Sequence, residues 1–147
     1  MLYVARPDGS GLRTLATANR HFDWSPDGHR LVFWRRVNEG GSLNPHLHVI
    51  NVDGSGLRRL TTYRTYVETS TEAPSWSPDG TSIIFKSGTG FDPNGLPDES
   101  GETFEHRFAV MDADGANLHL VGPQMKDCGS GSYRRTCRAV NPAWQPR

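Results

Sequence analysis

The sequence holds little that does chemistry and little that crosses a membrane. It has no Gly-x-Ser-x-Gly elbow, no phosphate-cradling glycine loop and no His-Glu-x-x-His pair. A non-catalytic protein is therefore expected. No run is apolar enough for a transmembrane span or a secretory leader, so membrane insertion is not expected either. Charge of one sign is also missing. Lys and Arg total 16 and Asp and Glu total 16, which makes nucleic acid and anionic membranes poor partners. Hydrophobic residues are 35% of the chain, and none of its stretches sustains the 3.6-residue apolar spacing of a helix. A large helical core is excluded. Cysteine is scarce too. Cys128 and Cys137 bracket a polar, glycine-rich octapeptide, without the Cys-x-x-Cys spacing of a redox motif and without a second pair for zinc. Two free thiols buried in such a segment are disfavoured, so a disulfide closing this loop is expected. It would add about 2–3 kcal/mol in the chain-entropy view and would need an oxidising compartment.

What the chain does have is turns. Trp24-Ser25-Pro26-Asp27-Gly28 returns as Trp76-Ser77-Pro78-Asp79-Gly80, 52 residues later. Ser suits the first place of a tight reversal, Pro fixes φ at the second, Asp tolerates the third, and Gly takes the left-handed conformation. Apolar residues follow each copy, Leu31 to Trp34 and Ile83 to Phe85, so each reads as strand, turn, strand. A second phrase runs out of phase with the first. Leu2 to Leu15 holds Asp8-Gly9, Leu47 to Thr61 holds Asp53-Gly54, and Phe108 to Val121 holds Asp114-Gly115. These pairs lie 45 and 61 residues apart. A period of about fifty residues with elastic loops is that of propeller blades. All these Asp residues read as turn formers.

The order Leu-x-Val-x-x-x-Asp-Gly-Ser-Gly-Leu-Arg-x-Leu-Thr, then Pro-x-Trp-Ser-Pro-Asp-Gly-x-x-Ile-x-Phe, resembles the WD-like β-propeller repeat of the TolB family. Leu47 to Thr61 carries its first half and Pro74 to Phe85 its second. The resemblance implies an all-β fold of four-stranded antiparallel blades. It also implies a periplasmic or extracellular, exported protein that acts as a protein-binding scaffold. Related propellers accompany hydrolases or peptidases, or act as metal-dependent lyases, and the fold does not choose among these roles.

Blade arithmetic gives units over about 22–62 and 74–121, and a split blade in which 142–147 joins 2–15. Pro142 and Trp144 stand where Pro74 and Trp76 stand in the full phrase. Three blades do not close a ring of roughly four to eight. Two ways out are a piece of a longer propeller, or a homodimer completing six blades. Trp24, Trp76 and Trp144 occupy one repeat position and are expected to pack between blades alike.

Four stretches read as long loops, where propellers carry specificity: Arg35 to Pro45, Thr62 to Ala73, Ser87 to Glu105, and Gly122 to Asn141. Trp34, Tyr63, Tyr66, Phe91, Tyr133 and Arg134 flank them as candidate anchors for a protein or a sugar. Asp92, Asn94 and Asp98 offer alternating oxygens to Ca²⁺, but they lack a full twelve-residue ligand pattern and also read as a solvated acidic tip. No other cofactor is suggested. His46 and His48 alternate on a strand, so both rings share one face. They are either two metal ligands wanting a third, His106 or His119, or two polar residues facing water.

Overall fold

The computed structural model describes residues 1–18, 21–62, 74–87, 105–128 and 135–136. All regular structure among them is β. Strands β1 (Leu2–Val4) and β2 (Arg13–Ala16) form an antiparallel pair. Strands β3 (Phe22–Trp24), β4 (Arg30–Glu39), β5 (Ser42–Asn51) and β6 (Arg58–Arg59) make a four-stranded antiparallel sheet in chain order. Strands β7 (Ser75–Trp76), β8 (Ser82–Ser87), β9 (Glu105–Asp112), β10 (His119–Cys128) and β11 (Arg135–Thr136) make a five-stranded one, again in chain order.

The Ser-Pro-Asp-Gly turns form as the residues dictate. Gly28 N donates to Ser25 O at 2.8 Å and Gly80 N to Ser77 O at 2.9 Å, with φ near +70° at both glycines. Each buried Ser hydroxyl accepts from a backbone amide five residues on: Arg30 N in one copy, Ser82 N in the other, both at 2.9 Å. Each Asp caps its own turn. Asp27 accepts from His29 N at 3.0 Å, and Asp79 from Thr81 N at 3.0 Å. The Asp-Gly turns repeat equally well: Gly9 N, Gly54 N and Gly115 N donate to Arg6 O, Asn51 O and Asp112 O. The order of Asp, Gly and flanking strand is thus one local rule applied five times.

Period-two alternation then sets the packing. On one face of the four-stranded sheet, Val32, Trp34, Leu47 and Val49 meet Trp76, Ile83, Phe85, Ala109 and Met111 of the next sheet. The Trp34 and Phe85 rings meet edge to face, centroids 6.0 Å apart. On the opposite face, Leu31, Phe33 and Ile50 meet Leu2, with Leu15, Ala16 and Ala18 at the margin. A sheet covered by neighbours on both faces is how blades stack in a propeller.

Several sequence expectations change. Arg35 to Pro45 is not a loop. It is the far half of a hairpin whose strands run ten residues each, with Arg36 opposite Pro45 and Glu39 opposite Ser42. Gly40 and Gly41, at φ +62° and +92°, form the two-residue turn that hairpin twist favours. Trp34 is not a loop-side anchor either: its strand points it into the core, where it is 1% exposed. The expected fourth loop begins as strand, since β10 continues through an irregularity between Val121 and Met125 to Cys128 and pairs with β11. The unit expected to end near residue 121 therefore carries a fifth strand. Asp92, Asn94, Asp98, Cys137, Trp144 and the strand expected over 142–147 lie outside the described residues, as does the Cys128 side chain.

Candidate functional site

Two places gather polar or aromatic groups that the core does not need. The first grows from the long hairpin. Its register puts Leu31, Phe33, Arg35, Glu39, His46, His48 and Ile50 on one face. His46 and His48 do share a face, as alternation requires, but the face is interior. His46 is 0% exposed and His48 is 5%. Neither points to water, because β6 and the residues after it close over them. His46 Nε2 lies 3.0 Å from Glu39 Oε2, and its Nδ1 lies 3.4 Å from the Thr61 hydroxyl. In the tautomer these partners select, Nε2–H donates to the carboxylate and Nδ1 accepts from Thr61. Thr61 Oγ1 in turn accepts from Leu47 N at 3.0 Å. Glu39 also takes Arg59 at 2.5 Å and Asn44 at 3.2 Å. Donation from His46 first, then from Arg59 and Asn44, holds the Glu39 carboxyl down at about 2.

Hydroxyl, imidazole and carboxylate in series is an order that hydrolases use. Here its hydroxyl and imidazole are buried. Thr61 is 2% exposed, so its oxygen has no open side from which to meet a substrate. The chain ties the tip of the hairpin to the outer edge of its sheet. His48 stacks on Phe33 with ring centroids 5.8 Å apart, and its Nδ1 faces His46 O at 3.1 Å. Burial pushes its pKa down. His46 thus has both ring nitrogens engaged and His48 its Nδ1. Among the described residues no group of three or more His, Cys, Asp or Glu is placed to hold a metal. His119 is exposed, with Nδ1 2.7 Å from Asn117 O, and the His106 side chain is not among those described. Glu39 and Thr61 escape a motif search. Glu39 becomes visible only once Gly40-Gly41 is taken as a two-residue turn, since that register sets Glu39 on the same face as His46.

The second place is an uncovered aromatic face. Phe22-Asp23-Trp24 and Pro74-Ser75-Trp76 are the same step of the repeat. Pro74 is buried and Trp76 is 4% exposed, with the Arg30 guanidinium 4.7 Å over its ring. Their counterparts Phe22 and Trp24 are 51% and 41% exposed. The expectation of alike packing thus fails for Trp24. Trp76 is covered by the four-stranded sheet before it, whereas among the described residues the pair β1–β2 precedes Trp24. Tyr3 on β1 is 56% exposed. Asp23 between the two aromatics is spoken for: its Oδ2 accepts from Trp76 N at 2.9 Å, joining the first strands of the two sheets.

No family model and no curated protein matches the chain. Among solved structures it is similar to TolB from Acinetobacter baumannii, with a TM-score of 0.54 at 18% identity, over 80% of this chain and 25% of that one. It is also similar to putative TolB from Agrobacterium tumefaciens, with a TM-score of 0.47 at 22% identity, over 71% of this chain and 33% of that one. The chain therefore spans no more than a third of the length of either. At 18% identity the likeness to the Acinetobacter baumannii structure speaks to fold alone: the stacked antiparallel sheets of this chain have the fold of part of a TolB-like β-propeller.

Proposed function

We propose that the chain is a non-catalytic propeller scaffold that binds protein, and that its open aromatic face is the binding surface. The observation that carries this reading is the contrast between Trp76, covered by a neighbouring sheet, and Trp24, bare at the same step of the repeat. Exposed Trp, Tyr and Phe on a rigid sheet bury large area at small entropic cost, which suits a protein partner. The TolB-like fold supports the scaffold role and an exported, periplasmic or extracellular setting. An oxidised Cys128–Cys137 pair belongs to the same proposal. It predicts no thiol reactive to a chromogenic reagent in unfolded protein until a reductant is added. Two reactive thiols before reduction would remove that argument for export.

The experiment is capture of envelope proteins on immobilised chain, comparing wild type with a Phe22→Glu, Trp24→Glu variant. A defined protein retained by wild type and lost by the variant is expected. Retention indifferent to both residues would overturn this face as the binding surface.

A further inference from the structure

We propose that Asp114 is a site of spontaneous modification: its side chain closes on the amide of Gly115 and converts to isoaspartate in the folded chain, ahead of the other four Asp-Gly pairs.

The reaction needs no partner but water. The glycine nitrogen attacks the aspartate Cγ, a C–N bond forms, and a carboxyl oxygen leaves as water. Water then opens the succinimide ring at either carbonyl. One opening restores aspartate. The other leaves isoaspartate, with the main chain routed through the side chain. The water lost in the first step returns in the second, and nothing is oxidised or reduced. Glycine favours the closure because it has no Cβ to hinder the approach of its nitrogen. Before attack, the carboxyl must leave its hydrogen bonds and swing towards that nitrogen. The five turns hold the nitrogen alike: Gly9, Gly28, Gly54, Gly80 and Gly115 each donate to the carbonyl three residues back, at 2.8 or 2.9 Å.

What differs is the carboxylate. Asp27 accepts from the Ser25 hydroxyl at 2.5 Å and from His29 N at 3.0 Å. Asp53 accepts from the Ser55 hydroxyl at 2.6 Å and from Ser55 N at 2.8 Å. Asp79 accepts from the Ser77 and Thr81 hydroxyls, at 2.6 and 2.8 Å, and from Thr81 N at 3.0 Å. Asp8 accepts from Ser10 N at 2.9 Å, and the Ser10 side chain helps to lower its pKa. At Asp114 the residue two places on is Ala116, which offers its backbone N at 2.9 Å and has no hydroxyl. The Asn117 amide is engaged by Asp112 instead, at 2.6 Å. Among the described residues, Asp114 is thus the one carboxylate of the five without a hydroxyl donor, and it is exposed. Hydrogen bonds also hold Asp8, Asp27 and Asp53 below the usual carboxylate range, which thins the neutral carboxyl from which water leaves. The product would disturb a contact between sheets. Arg58 of β6 donates to the Ala113 carbonyl at 3.5 Å, and a methyl on Gly115 would lie 3.1 Å from Leu60 O. Isoaspartate adds one methylene to the main chain between these two points, so the turn that joins β9 to β10 no longer seats both.

The test is incubation of the 147-residue chain at neutral pH in water labelled with heavy oxygen, then digestion in ordinary water and mass spectrometry. Ring opening leaves a heavy oxygen in each residue that has reacted, and fragmentation assigns it. The label at Asp114 should exceed that at every other Asp-Gly pair by roughly tenfold, the ratio that one hydrogen bond to a charged group sets. Ala116→Ser gives Asp114 the hydroxyl that Asp8 and Asp53 have, and should slow labelling by a similar factor. Ala116 is exposed, so this variant should keep the wild-type β-sheet circular dichroism. In urea the five sites of wild type should react at comparable rates, which tests the cause without any variant. Equal label at all five sites of the folded chain would overturn the inference. So would a lead at Asp8 or Asp27, whose glycines meet open space, or a rate indifferent to Ala116→Ser. A lead at Asp114 that persists in urea would overturn it too, because local sequence and not the turn would then be the cause. Chain aged until Asp114 has converted should melt at a lower temperature than fresh chain, and Asp114→Glu should age without that loss.

Discussion

At the scale of single residues, the carboxylates of this chain are builders. Hydrogen bonds from Ser10, Ser25 and Ser55 lower the pKa values of Asp8, Asp27 and Asp53, and His46 leads the donors that hold Glu39 at about 2. A folded value below the ordinary one means stability that is present above the ordinary value and lost as pH falls through the folded one. For Glu39 that window runs from 4.5 down to about 2. The melting temperature should therefore fall through this window, and Glu39→Gln should flatten the fall, as followed by circular dichroism at stepped pH. His48 obeys the same sign. Its pKa lies below the ordinary 6.5 because burial disfavours the charged ring. Its contribution is complete above 6.5 and fades as pH drops towards the folded value. His48→Gln should flatten the melting temperature against pH below 6.5, while an unchanged slope would place the titration elsewhere. The spacing His-x-His discloses a shared face. It does not disclose whether that face is wet, because Thr61, which closes over it, arrives from beyond another strand.

At the scale of elements, turns and hairpins obey local rules, and neighbours decide what each rule is worth. Gly9 and Gly115 sit at φ +81° and +88° in equivalent turns. An L-residue there costs about 1–2 kcal/mol from backbone strain alone. Gly115→Ala must also push its methyl to 3.1 Å from Leu60 O, whereas Gly9→Ala meets open space. Urea midpoints should thus rank Gly115→Ala as the more damaging, and equal midpoints would mean the inter-unit contact is loose. Phe85 is 0% exposed against Trp34, so Phe85→Ala should cost about 3–5 kcal/mol, measured by the same unfolding. That is a large share of a typical domain's total stability. Leu43→Ala, 60% exposed, should lie within about 0.5 kcal/mol of wild type.

At the scale of the molecule, the sheets differ in which of their faces are covered. The four-stranded sheet has neighbours on both faces, so its aliphatic and aromatic residues are spent on stability. The first strand of that sheet leaves Phe22 and Trp24 exposed in the described residues. Identical repeat letters thus differ in exposure by place in the array, 4% at Trp76 and 41% at Trp24. If the scaffold reading holds, a variant that empties the histidine cluster, His46→Ala with His48→Ala, should lose stability without losing captured protein. Element analysis of dialysed wild type checks the competing lyase reading, which requires a stoichiometric metal that this variant lacks.

The all-β class, the two turn types and their order, and the alternation that divides each strand into two faces were legible in the residues alone. These follow from nearest-neighbour chemistry: Pro and Gly fix torsions, Asp and Ser cap amides, and period two sorts side chains. That Arg35 to Pro45 pairs as a strand hairpin, that His46 and His48 are interior, and that Trp76 is covered while Trp24 is exposed emerge from the packing of the sheets. Each of these depends on what another strand brings from far along the chain, and local spacing cannot report the presence or absence of a distant neighbour.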